Sequence, residues 1–483
     1  MASTATGSTT QLLAEFAANL KNANVLESLA DGLIGKDALI DGPFGEKPLV
    51  YADYVASGRA LMPVESFILQ KVLPFYANSH TEASFCGGMV TRLRREARAA
   101  IARCCGADAR HAVIFCGSGA TAGINRLVSL FEANRAGTRV IIGPYEHHSN
   151  ILPWRESGAD IVELREDAEG GPDQAHLAEV LAQSKGFQRV ICTFSAASNV
   201  TGIVSDVTAL TRIVKQAGAT MIWDYAGGGP YLPIVMVPEE HAEIDAIVVS
   251  PHKFIGGPGA SGVLILRRDA VSRQTPTWSG GGTVRFVSSQ GHDYAEKLEA
   301  REEAGTPNVV GDIRAALAFL VKEVIGDDIM AARNRQLTQQ ALEAWRHHPR
   351  LELLGSLTAA RLPIFSFRVR DGQGGYIHQQ LVTRMLSDRF GIQARGGCAC
   401  AGPYVHRLLN ISDEESARLR AAILAGEEME KPGFTRLNLS VLLSPEKVAF
   451  ILESVSQLAM DAPAHVCQYG VDPSRAIFFP QAA

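Results

Sequence analysis

The sequence predicts an α/β fold: a large domain on a mostly parallel seven-stranded sheet flanked by helices, then a smaller α+β domain. Three observations carry this. Seven short apolar runs fall between about residues 90 and 270. Stretches of helical periodicity fit between them, the alternation a parallel sheet requires. Beyond residue 350 the pattern changes to strands mixed with helices.

Residues 1–45 hold an amphipathic helix, LLAEFAANLKNA, and a loop. The strands expected next are the apolar runs 112–116, 139–142, 160–164, 189–194, 219–224, 244–249 and 262–267. Helices fit over 119–131, 174–184 and 206–217, and two more over 311–347. PIFSFRVR (363–370) and YIHQQLVTRMLSDRF (376–390) open the second unit. The division expected is 1–45, a large domain over 46–325, and a small α+β domain over 326–483.

Composition excludes several classes of function. Hydrophobic residues make up 46% and charged residues 20% of 483 residues, with a net charge of −5. That argues against nucleic acid as the main partner and leaves no polybasic patch for a membrane surface. No run approaches the roughly 20 apolar residues of a membrane span. The start, MASTATGSTTQLLAEF, has no basic segment before an apolar one and no arginine, so neither export nor an organelle address is expected. Eight cysteines in so long a chain read as reduced thiols of a cytoplasmic protein. Cys398-x-Cys400 is too closely spaced for a zinc site, and the neighbouring His147 and His148 do not aim at one ion, so no metal is expected.

Five strand ends carry chemistry. Ile114–Asn125 is a strand, a small-residue turn and a helix start, where free amides at Ala120 and Thr121 suit a phosphate. Glu146-His147-His148-Ser149-Asn150 follows a strand, and an imidazole there can stack on a flat ring and move protons. Asn199, in SAASNVTG, can hydrogen-bond a ring hydroxyl. Asp224 closes MIWD, where a carboxylate can pair with a pyridinium nitrogen. Lys253 closes IDAIVVSPHK ahead of a glycine-rich turn, where desolvation lowers its pKa and makes the amine a nucleophile toward carbonyls. Each segment alone fits an ordinary loop. Together and in order they compose a site for pyridoxal 5'-phosphate.

From about Tyr51 to about residue 455 the chain resembles the class V, fold-type I pyridoxal-phosphate enzymes, in the cysteine desulfurase and selenocysteine lyase branch. The motifs are YADYVASGRAL, EHHSN-x-x-PW, SNV-x-G, HK-x-x-G-P-G-x-G and EAGTPN. The resemblance implies that His147 stacks on the cofactor and that Ser250 and His252 bind its phosphate. It implies a homodimer with shared sites, in which Thr283, after Gly280-Gly281-Gly282, reaches the partner's phosphate. Arg436 in TRLNLS would clamp the substrate carboxylate bidentately.

Arg395-Gly396-Gly397-Cys398-Ala399-Cys400-Ala401-Gly402-Pro403 resembles the R-x-G-H-H-C-A-x-P of desulfurases, with Cys400 at the catalytic cysteine. There a thiolate takes sulfur or selenium from cysteine or selenocysteine, leaving alanine and a persulfide for a sulfur-acceptor protein. Three departures stand out. Cys398 and Ala399 replace two histidines, Gly227 replaces a side chain beside the ring hydroxyl, and an insertion over about 405–434 is expected to form a helical cover. The alternatives are a class V aminotransferase, epimerase or lyase acting on another amino acid, or a cofactor-binding protein without turnover.

Overall fold

A computed structural model describes residues 11–79 and 82–481; most of the stretch weighed as an organelle address lies outside the described residues. Seven strands form the central sheet: β1 (His111–Gly117), β2 (Thr138–Ile142), β3 (Asp160–Glu163), β4 (Arg189–Ser195), β5 (Thr220–Asp224), β6 (Ala246–Val249) and β7 (Gly262–Arg267). Their order is β1-β7-β6-β5-β4-β2-β3. The four neighbouring pairs from β6 to β3 are parallel, whereas β7 runs antiparallel to both β6 and β1. The link from β6 to β7, residues 250–261, carries Lys253 in a single tight helical turn and holds no α-helix to cross over between parallel strands.

Helix α1 (Phe85–Cys104) precedes β1, and α2 (Gly119–Leu130), α3 (Gln174–Gln183) and α4 (Val207–Gln216) fill three of the connections. Alternate residues of the strands feed two cores, one on each face: Val113, Ile141, Met221 and Ile247 on one, Ile114, Val140, Ile222 and Val248 on the other. Burial of both faces explains why the strands read as unbroken apolar runs. Helix α5 (Val309–Ile325) packs on the first core.

At Gly326, φ 82°, the chain turns into α6 (Asp327–Trp345), which contributes to a separate core. That core lies under an antiparallel sheet of β8 (Leu351–Leu353), β9 (Ile364–Arg370), β10 (Tyr376–Ile377), β11 (Arg395–Gly397) and β12 (Phe434–Asn438), in the order β8-β9-β12-β11 with β10 on β9. It is completed by α7 (Gln379–Phe390) and the late helix α10 (Pro445–His465). Val50 and Ala52 also enter this core, because the short strand Val50–Tyr51 pairs parallel with Ile392–Gln393.

The 405–434 segment does form a helix, α9 (Asp413–Leu424), after α8 (Gly402–Leu408). Its Glu415, Arg418 and Leu419 face Arg368, Tyr376 and Gln379 at the edge of the second sheet. None of its residues lines the cavity described below, so the expected cover lies over the sheet edge and not over the strand ends. Among the described residues no helix is long and apolar enough to cross a membrane.

Candidate active site

The carboxyl ends of β1, β2, β4, β5 and β6 open into one cavity of about 200 Å3. It is lined by Ala120, Thr121, His147, Asn199, Asp224, Ser250, His252 and Lys253, among others. Open α/β sheets bind ligands at this edge because loops diverge there and helix N-termini point in.

The Lys253 turn is built on two glycines that allow no side chain. A Cβ on Gly257 would lie 1.9 Å from Pro251 O, and one on Gly58 would lie 1.8 Å from Phe254 O. Gly58 also donates its N–H to His252 O at 2.9 Å, which ties the turn to the early loop. Gly257→Ala must therefore push the turn off its seat. We expect a loss of about 1–3 kcal/mol in stability, with a lower melting temperature. An unchanged melting curve would refute this.

One end of the cavity is rich in donors. Gly119, φ +61°, starts α2, and Ala120 N–H donates to Ser250 Oγ at 2.9 Å. A Cβ on Gly119 would sit 2.8 Å from that Oγ and 3.0 Å from His252 Cε1, so the glycine is what lets α2 approach this close. The hydroxyls of Thr121 and Ser149 lie 2.7 Å apart, and Ser149 Oγ is 3.1 Å from His147 Nδ1. Burial pushes the His252 imidazole down to about 4, with nearby Lys253 adding to the effect.

The other end holds a carboxyl and an amine. Asp224, 3% exposed, accepts Ala226 N–H at 2.7 Å. Burial raises its pKa, against the pull of that amide and of Lys253. A buried carboxyl of this kind is in need of a cationic partner. Burial likewise lowers Lys253 to about 8, opposed by Asp224 and aided by Arg436 and Arg395. His147 falls to about 4, chiefly through burial and then through Lys253, and so is neutral at physiological pH.

Beside the amine stands an ion cluster that sequence inspection missed. Asp53 accepts Arg436 Nη2 on Oδ1 and Arg395 Nε on Oδ2, both at 2.9 Å. Arg436 Nη1 donates to Asn199 O, also at 2.9 Å. Arg436 is thus near the amine as expected, but both its terminal nitrogens already serve chain oxygens. The one early signal for Asp53 was its place in the motif YADY.

Asn199 lines the cavity, yet its side-chain amide donates to Ala399 O at 2.8 Å. Its partner is a turn, Cys398 to Ala401, closed by Ala401 N–H to Cys398 O at 3.2 Å. Ala399 and Cys400 in that turn have φ of 49° and 55°. Left-handed backbone at a residue with a Cβ costs roughly 1–2 kcal/mol, so two in succession persist only because other contacts hold them. His148 supplies two of these: its N–H donates to Cys400 O at 2.7 Å, and its Nε2 accepts Gly402 N–H at 2.9 Å. The Cys400 side of the turn is exposed, while Cys398 packs against a small apolar cluster.

Glu146 was also missed as a support. Fully buried, it accepts the N–H and hydroxyl of Ser195 at 2.8 Å each and so ties the end of β4 to the loop after β2. Burial raises it to about 8. Thr283, expected to reach the phosphate of a second subunit, does not line this chain's own cavity. Its side chain is buried and its hydroxyl donates to Gly280 O at 2.6 Å, because the turn folds back on itself. The exposed Gly281 and Gly282 are what this turn presents outward. Among the described residues no cluster of metal-ligating side chains occurs.

The Aminotransferase class-V family matches residues 50–430. A probable cysteine desulfurase of Pyrococcus abyssi is 27% identical over 386 residues, covering 78% of this chain and 90% of its own. A cysteine desulfurase of Serratia proteamaculans is 29% identical over 365 residues, covering 74% and 85%. The apo structure of the cysteine desulfurase of Thermococcus onnurineus superposes with a TM-score of 0.71 at 24% identity, over 85% of this chain and 95% of that one.

Proposed function

The chain belongs to the class-V aminotransferase family, and from that premise we propose that it is a pyridoxal-phosphate-dependent cysteine desulfurase acting on L-cysteine or selenocysteine. The observation that supports this best is the position of Cys400: an exposed thiol on a turn fastened to the cavity through Asn199 and His148.

The cavity residues fit the cofactor. Its donor-rich end, with Ala120, Thr121, Ser250 and His252, would hold the phosphate at the start of a full-length helix. Asp224 would hold the ring-nitrogen proton, and the neutral His147 would lie against the ring. When bound, the group supplies a protonated pyridine ring that takes up an electron pair from the substrate carbon.

The chain's own groups do the rest. Lys253 Nζ, lowered to about 8, has enough neutral amine near neutral pH to hold the cofactor aldehyde and to move the substrate Cα proton. Arg395 and Arg436 together carry two positive charges against one on Asp53, leaving a single net charge for one substrate carboxylate. The Cys400 thiolate then forms an S–S bond to the substrate sulfur as the Cβ–S bond breaks. The carbon keeps that electron pair, takes a proton and leaves as alanine, and Cys400 carries the persulfide. We further propose a homodimer, a sulfur-accepting protein partner and a cytoplasmic setting; the eight free cysteines support a reducing compartment.

The test is an amino-acid screen of the reconstituted protein that follows sulfide, alanine and ketoacid separately. L-Cysteine should yield alanine, and Cys400→Ala should lower that yield on the order of 100-fold or more while leaving cofactor uptake intact. Equal alanine from both proteins, or a ketoacid as the product, would move the chain to another reaction of its family.

A further inference from the structure

Two successive left-handed residues, neither of them glycine, carry the thiol. Such a turn needs an external clasp, and most of that clasp is one residue. His148 lies next to the cavity-lining His147, with ring centroids 6.2 Å apart. Its backbone N–H holds the carbonyl of Cys400 and its Nε2 holds the amide of Gly402, so it grips the chain at the thiol-bearing residue and again two residues on. An accepting Nε2 fixes the ring as the neutral tautomer with its proton on Nδ1. The approach is close: a Cβ on Gly402 would stand 3.1 Å from Nε2.

We propose that His148 is the positioning residue for Cys400: its neutral ring clasps the turn so that the thiol stands at the cavity rim, and a proton on Nε2 opens the clasp. This rests on Cys400 being the sulfur-accepting nucleophile. A protonated Nε2 is a donor facing a donor, so the Gly402 bond is lost and backbone strain favours release of the turn. Arg155 on the following helix acts on the ring electrostatically, and His147 lies beside it on its own segment. Burial and Arg155 both lower the His148 pKa, so the clasp is closed at neutral pH and opens on acidification.

The experiment uses the pyridoxal-phosphate-loaded protein with His148→Ala and His148→Gln. A glutamine side-chain oxygen can accept the Gly402 amide and does not titrate. His148→Ala should slow alanine formation on the order of 10- to 100-fold at saturating cysteine. The KM and the cysteine-induced change in cofactor absorbance should stay as in the unaltered protein, since both precede the thiol's step. His148→Gln should restore the rate and remove the acid limb of its pH profile. The alkylation rate of Cys400 by iodoacetamide, read by peptide mass without any turnover, should change in His148→Ala and return in His148→Gln.

An unaltered alkylation rate in His148→Ala, or a glutamine variant as slow as the alanine one, overturns the proposal. So does a parallel loss of rate and of the absorbance change, which would place the defect at His147 and the cofactor. If alkylation responds as expected but Cys400→Ala still makes alanine at full rate, the clasp stands and the desulfurase assignment falls.

Discussion

Lys253→Ala is expected to leave a protein that folds, binds pyridoxal phosphate weakly and retains no covalent link to it. Turnover should fall on the order of 1000-fold or more, since under the proposed function one residue would serve both as the anchoring nucleophile and as the group that moves the Cα proton. The physical basis is the amine's pKa of about 8. At pH 7.5 roughly a quarter of such amines are neutral, against about one in a thousand for an ordinary lysine. Burial disfavours the charged form, so the neutral fraction and the rate of aldehyde capture should climb as pH rises through about 8 and then level off. Borohydride reduction followed by peptide mass measurement reads the link directly. Lys253→Arg is the control: it keeps a positive charge near Asp224 and supplies no nucleophile, so it should fail in the same way. Borohydride-stable label in either variant would show that another amine holds the cofactor.

Asp53→Ala should produce the largest loss of stability outside the apolar cores. Arg436, with 4% of its side chain exposed, would keep its charge and lose the carboxylate that pairs with it among the described residues. Removing one member of a buried pair costs about 3–5 kcal/mol, because the remaining charge is left desolvated. The Arg395 contact adds little, since that side chain is 53% exposed and its pairing is worth about 1 kcal/mol or less. Thermal melting should therefore fall by roughly 5 °C or more for Asp53→Ala and change little for Arg395→Ala. Cysteine KM should rise in both, through disorder of the clamp in one and loss of a cation in the other. Melting of Asp53→Ala within a degree of the parent would show that Arg436 finds another partner.

The strands were legible in the sequence because both faces of the central sheet are buried, which leaves continuous apolar runs such as Ile244–Val249 closed by small turn residues. The cavity residues were legible for the same local reason: each follows its own strand end. What escaped notice depends on distant pairing. Asp53 meets Arg436 383 residues away, and nothing near Asp53 signals that partner. The Asn199 amide turns to a backbone carbonyl of residue 399, which no residue-type pattern encodes. The charged segment after residue 405 does form a helix, and its Leu419 and Arg418 line a cavity shared with Tyr376, a position no local pattern encodes.

The bond between Asp53 and Arg395 spans 342 residues. At a ribosomal pace of about 5–20 residues per second, the second half of the anion clamp emerges roughly 20 to 70 seconds after the first. Ser118 through Lys253 leave the tunnel well inside that interval. The residues that line the strand-end cavity are thus all made before Arg395 and Arg436, so the cavity can take shape on a nascent chain that still lacks both arginines.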